Sequence, residues 1–233
     1  MLIHLAPIAL LIAAACANTE KTIFLGPATI NIPSGHPTHV DILTPSNSTI
    51  RTHLEAQFPN AELPHGKATW LILDELIEGQ RYEVRVCWAA TQPTAFRIAV
   101  YDVPTVFENL ELISDLSEHS WSRQLLEGHR ESQRGSTTSP RSSSSGRKAS
   151  VLLLQILTAA DYYTMNKTLM RDVPPVYVDI ILDPFIFNVL PRSLLPTVGY
   201  IVVVAIASWF ISRQISVWIR NVAADTTREK KIQ

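Results

Sequence analysis

The sequence predicts a mainly β chain, a β-sandwich-like domain followed by one C-terminal transmembrane helix, on three observations. Short alternating runs of apolar and polar residues fill Lys21 to Asp102 and are broken by Pro, Gly, Asn and Ser, the pattern of antiparallel strands joined by turns. Apolar strand-like runs resume at Val151 to Leu157 and Val176 to Leu182 after a polar interruption. From Ser193 to Ser212 the chain carries no charge for about 20 residues, enough as a helix to cross a hydrocarbon core of roughly 30 Å.

At the N-terminus, Met1 to Ala17 is an apolar run of signal-peptide length ending in the small-residue site Ala15-Cys16-Ala17, so cleavage after Ala17 is expected. Its basic region is poor, which leaves an uncleaved anchor as the alternative. Cleavage would leave Cys87 as the single cysteine. The domain then has no internal disulfide, and its stability must come from core packing. The thiol is either buried and inert or bonded to another chain.

Strands are expected at Thr22 to Leu25, Ala28 to Ile32, Thr38 to Leu43, Thr69 to Leu73, Tyr82 to Ala89 and Phe96 to Tyr101. In the clearest of them Tyr82, Val84, Val86 and Trp88 share the core face, and Glu83, Arg85 and Cys87 share the other. The approach to it, Leu73-Asp-Glu-Leu-Ile-Glu-Gly-Gln-Arg-Tyr82, resembles the corner before strand F in fibronectin type III and related sandwiches, where a tyrosine closes the turn. That resemblance implies a fibronectin- or Ig-like sandwich.

Val106 to Leu126 mixes apolar residues with acids and reads as either a helix or a further strand pair. Gly128 to Ser150 is rich in Ser, Arg and Gly and is expected to be a disordered insertion. Val176 to Leu182 reads as a closing strand. It does not begin a second span, because Asp179 and Asp183 would each cost about 2.5 to 3.5 kcal/mol in a membrane centre. Pro184 to Leu190 lies directly before the apolar helix. Asp183, Pro184, Phe185, Phe187, Asn188 and Pro191 are the candidate partner contacts, with Phe185 and Phe187 on one face of an extended segment. The segment is either a collar on the membrane surface or a docking surface for a membrane-embedded partner.

Beyond the span, Arg213, Arg220, Arg228, Lys230 and Lys231 outweigh Asp225 and Glu229, which predicts a cytosolic tail. Lys230 and Lys231, third and fourth from the end, resemble the dilysine signal that returns type I membrane proteins to the endoplasmic reticulum. Two glycosylation sequons, at Asn47 and Asn166, fall between signal and span. The expected segmentation is signal peptide 1–17, luminal β domain 18–127, insertion 128–150, luminal continuation 151–192, transmembrane helix 193–212 and tail 213–233.

No enzymatic constellation is legible. A net charge of −1 gives no electrostatic footprint for nucleic acid. His36 and His39 lie in a Pro-containing turn without further ligands, and two histidines do not make a zinc site. Asp74 and Glu75 are adjacent and point apart on a strand. No nucleophile elbow, P-loop or dinucleotide signature appears. No catalytic residue, cofactor or metal site is expected.

This order of parts, with the segments from Gly79 to Phe96 and from Val178 to Pro196, resembles the fungal co-activator subunit of GPI mannosyltransferase II over most of the chain except 128–150. The resemblance implies a non-catalytic subunit of the endoplasmic-reticulum membrane. Its implied partner is the multi-span catalytic subunit that adds the second mannose to the GPI precursor, and the span also meets membrane lipid. A trafficking adaptor or cargo receptor shares the same topology and tail. Such receptors usually carry a luminal coiled coil, and no sustained heptad precedes the span.

Overall fold

A computed structural model of the chain describes residues 17–32, 40–134 and 147–229. Two β-sheets enclose the main core. In the first, β1 (Ala17–Leu25) pairs antiparallel with β6 (Arg81–Ala89), and β6 pairs with β10 (Val176–Ile186). Both β4 (Thr49–Leu54) and the two-residue β11 (Leu190–Pro191) pair with β10, giving five strands. The second sheet runs β3 (Asp41–Leu43), β5 (Lys67–Leu73), β9 (Leu152–Ala160), β7 (Thr94–Asp102), with β3 and β5 parallel and the other pairs antiparallel. A short pair, β2 (Ile30–Ile32) with β8 (Arg147–Ala149), stands beside them.

Alternation builds the core. Tyr82, Val84, Val86 and Trp88 of β6 and Val178, Ile180 and Leu182 of β10 pack against Leu71 and Leu73 of β5 and Leu152, Leu154 and Ile156 of β9. The face of β6 expected to be core is core, and the chain is the mainly β fold that the sequence predicts. Strand β4 was not expected, because Ile50 and Leu54 are its only apolar residues. Pairing with β10 supplies what its sequence lacks. Arg51 grips Asp179 across the two strands with Nε–Oδ1 at 2.6 Å and Nη2–Oδ2 at 2.8 Å. Those bonds hold the Asp179 carboxyl below its ordinary pKa.

The segment left between helix and strand pair is helical, as α1 (Val103–Glu108) and α2 (Leu110–Arg134). The helices cover the outer face of the second sheet, where Val106 and Leu116 pack with Trp70, Ile72 and Leu153. Strand β9 is therefore buried on both faces, which accounts for its nearly unbroken apolar sequence. Regular structure also reaches into both ends of the stretch expected to be disordered. Helix α2 runs to Arg134, and β8 is held by β2 and by an ion pair from Arg147 to buried Asp74. Residues 135–146 lie outside the described residues.

After β9 a short helix α3 (Lys167–Arg171) precedes β10, and a 3₁₀ turn (Arg192–Leu194) leads from β11 into α4 (Leu195–Glu229). Helix α4 is 35 residues long, and its described side chains are exposed. Among the described residues it is the one helix long and apolar enough to cross a membrane.

The tyrosine corner is present. Tyr82 is fully buried, and its hydroxyl accepts from Ile77 N at 3.0 Å while donating to Gln80 Oε1 at 3.1 Å. Burial raises the phenol's pKa, which keeps it protonated as a donor. Tyr82→Phe leaves Ile77 N without its acceptor and should lower stability by about 1 to 3 kcal/mol. The urea midpoint of the purified chain, followed by tryptophan fluorescence, measures this. An unchanged midpoint would show that the corner is held by packing alone.

Candidate functional site

The end of the sandwich next to α4 gathers the residues singled out for partner contact. Strand β10 runs past Ile186 into a tight hairpin with Phe187 and Asn188 as its central residues, closed by Val189 N donating to Ile186 O at 3.1 Å. Both central residues have positive φ, 51° for Phe187 and 59° for Asn188, as in a type I′ turn. Asn tolerates that conformation, whereas a bulky aromatic rarely adopts it.

The turn reverses the chain and separates two side chains expected to share a face. Phe185 is 6% exposed and lies against the rim beneath Arg81, whose guanidinium carbon stands 5.9 Å from the ring centroid. Phe187 is 94% exposed at the hairpin tip. An extended Pro184 to Leu190 would have put both rings into one groove, and the left-handed pair at 187 and 188 prevents it.

Three further candidates build the rim. Asn188 Oδ1 accepts from Arg81 N at 2.8 Å, and its Nδ2 donates to Gly79 O at 2.9 Å. Gly79 N donates to Gly26 O and Gly26 N to Gln80 O, so the end of β1, the 77–81 turn and the hairpin form one bonded rim. Gly26 admits no side chain, since a Cβ there would stand 2.2 Å from Ile77 O. Pro191 pairs with Phe185 in the β10–β11 ladder, and Pro184 pairs with Tyr82.

Asp183 joins the domain to the helix. It is 5% exposed, and both its carboxylate oxygens accept from Ser193 N, at 3.2 and 3.3 Å, in the turn that leads into α4. Its register partner on β6 is Glu83, which is also buried. Arg85 lies 3.6 Å from Glu83 and 3.9 Å from Asp183, and Lys21 pairs with Glu83 at 3.0 Å. Two cations thus offset two adjacent carboxylates whose direct opposition would otherwise destabilise the sheet.

Of the six candidates, Phe187 and Asn188 are exposed, and Asn188 is held by its bonds to the 79–81 turn. Leu25, Ile77 and Val189 are exposed on the same rim and were not singled out. Each sits at a strand end or in a turn, where no alternating pattern tells an exposed apolar residue from a buried one.

The sequon residues Asn47 and Asn166 are exposed; Asn166 caps α3 by accepting from Thr168 N at 3.0 Å. Cys87 lies half-buried on the outer face of the first sheet, not in the core, with the Thr19 hydroxyl 3.5 Å from its sulfur. The carboxylates of Asp74 and Glu75 diverge. Asp74 is buried, while Glu75 is exposed at φ 56°. Lys230 and Lys231, His36 and His39, and residues 1–16 of the signal segment lie outside the described residues.

Residues 8–119 match Pga1, the GPI-mannosyltransferase II co-activator family. The match covers 112 of the 233 residues, just under half of the chain. The matched segment is thus similar to a co-activator of GPI mannosyltransferase II. No curated protein and no solved structure matches the chain. The matched part of the chain contains β1 to β7, α1 and the start of α2. It includes neither β9 nor β10, each paired on both sides within its sheet, so the unmatched half completes the sandwich and carries the junction to α4.

Asp183→Asn keeps the size of the side chain and removes the charge that faces Ser193 N and Arg85. It should cost about 1 to 3 kcal/mol and open the 187–195 junction to limited proteolysis. Wild-type cleavage kinetics and unfolding would show that Asp183 does not hold the helix.

Proposed function

We propose that the chain is a non-catalytic accessory subunit of the mannosyltransferase that adds the second mannose to the GPI precursor. The family match at residues 8–119 carries this reading. The subunit resides in the endoplasmic-reticulum membrane as a single-pass type I protein. Its N-terminal segment is a cleaved signal peptide, its β domain is luminal and glycosylated at Asn47 and Asn166, and Lys230 and Lys231 return it from the Golgi.

Its partner is the multi-span catalytic subunit, met at the membrane surface by the rim of Phe187, Val189 and Ile77. Two features support that placement. The rim is the end of the domain from which α4 departs, and it presents apolar side chains next to the helix that holds the domain at the bilayer. Because Asp183 and Asn188 fix the hairpin before any partner arrives, docking costs little ordering entropy.

The docking assignment is tested by Ile77→Ser combined with Phe187→Ser. Both residues are exposed in the free chain, so folding and expression should persist while co-purification with the catalytic subunit in mild detergent falls at least tenfold. Full retention of the partner would remove the rim from the interface. The pathway assignment is tested in cells depleted of the chain, which should accumulate GPI precursors carrying one mannose. A normal precursor profile, with delayed export of selected cargo, would favour the receptor reading instead.

A further inference from the structure

Helix α4 does not end where its uncharged stretch ends. It continues unbroken past Ser212 to Glu229. The residues from Ser193 to Ser212 alone fill a hydrocarbon core of roughly 30 Å, so the helix that follows emerges at the level of the lipid headgroups. That emerging part is two-faced. Ile215, Trp218 and Ile219 recur at i, i+3 and i+4, and all three are exposed. Arg213 and Arg220, seven residues apart, share the opposite face.

The charges on this stretch are one-sided. Between Asp183 and Asp225 the sequence has no carboxylate, so neither arginine has an acidic neighbour on its own turns. Arg220 Nε donates to Ser216 O at 3.3 Å, which lays the side chain back along the helix toward the uncharged stretch. A guanidinium held there faces the phosphate layer, and its planar fork matches phosphate oxygens. If α4 left the bilayer along its normal, Ile215, Trp218 and Ile219 would stand among hydrated headgroups. Tilting the helix toward their side sinks them into hydrocarbon and turns both arginines outward. Trp218 then occupies the boundary layer in which tryptophan is enriched.

We propose that α4 crosses the bilayer tilted, with Arg213 and Arg220 bound to lipid phosphates and the Ile215, Trp218 and Ile219 face turned into the hydrocarbon. The occupant of the basic face is thus the anionic headgroup of the leaflet into which the C-terminal part emerges. This rests on the reading of α4 as a span and is independent of which enzyme the subunit serves.

The test uses the full-length chain with Cys16 and Cys87 replaced by serine, reconstituted in vesicles of phosphatidylcholine and phosphatidylserine. Single spin labels are attached after Val203→Cys, Ile215→Cys, Val217→Cys or Ile219→Cys, and their collisions with oxygen and with a water-soluble nickel chelate are compared. The label at 203 reports the hydrocarbon centre. Labels at 215 and 219 should favour oxygen over nickel severalfold more than the label at 217, which lies on the arginine side. Adding Arg213→Gln and Arg220→Gln should reduce this contrast and lower severalfold the phosphatidylserine retained on extraction into mild detergent.

Labels at 215 and 219 as wet as 217, with 203 in lipid, would overturn the tilt and leave the span intact. Shielding of 215 and 219 from both reagents would overturn it in favour of a protein partner on that face. Unchanged lipid retention in the arginine variant would remove the phosphate contact. A wet label at 203 would instead overturn the span itself, so the two failures are distinguishable.

Discussion

The antiparallel register of β10 on β6 is the constraint from which the site follows. Val178 opposite Trp88, Ile180 opposite Val86 and Leu182 opposite Val84 send one set of side chains from both strands into the same core. A slip of β10 by one residue would turn Val178, Ile180 and Leu182 out to solvent and bring Asp179 and Asp183 inward. Burial of several large apolar side chains, each contributing roughly 1.5 to 3 kcal/mol, holds the pairing against such a slip. The same register sets Asp183 beside Glu83 on the outer face, within reach of Arg85 and of the backbone where α4 begins. The join between domain and helix is thus a consequence of core packing on the far side of the same strands.

The rim next to that join combines rigidity with an exposed ring. A left-handed aromatic costs of order 1 to 3 kcal/mol, and it persists because Asn188 bonds the hairpin to two backbone groups of the 79–81 turn. Burying the Phe187 ring in an apolar surface would return a comparable amount. The conformation is therefore mildly unfavourable in the free domain. The two faces of the domain are also unequal. Helices α1 and α2 close the outer face of the second sheet, whereas the outer face of the first carries the ion pairs of Arg51, Lys21 and Arg85.

Much of this was legible in the sequence, and what was not has specific causes. The β6 alternation, the corner at Tyr82 and the uncharged run of α4 are local patterns that hold whatever surrounds them. Strand β4 was not legible because its place comes from β10, more than a hundred residues away in sequence. The α1–α2 layer was ambiguous because, among its described side chains, only Val106 and Leu116 are buried, too few for a clear helical period. At the candidate site, the segment was found but its shape was not. Phe187-Asn188 is not one of the glycine-containing pairs that mark a two-residue hairpin, so an extended run was the natural reading.

By itself the sequence determined the class of the chain, a β-sandwich with a C-terminal apolar helix, because strand alternation and a run free of charge are properties of neighbouring residues. It also pointed to the family, through the order of its parts and two short segments. Only the tertiary structure decided which residues of the segment before α4 are exposed and which are buried or bonded within the domain. The fold sets Asp183, Phe185 and Asn188 against Ser193, Arg81 and Gly79, which no local pattern shows. A side chain's availability depends on what long-range pairing brings against it. That information is carried by the register of the sheets and not by any local stretch of sequence.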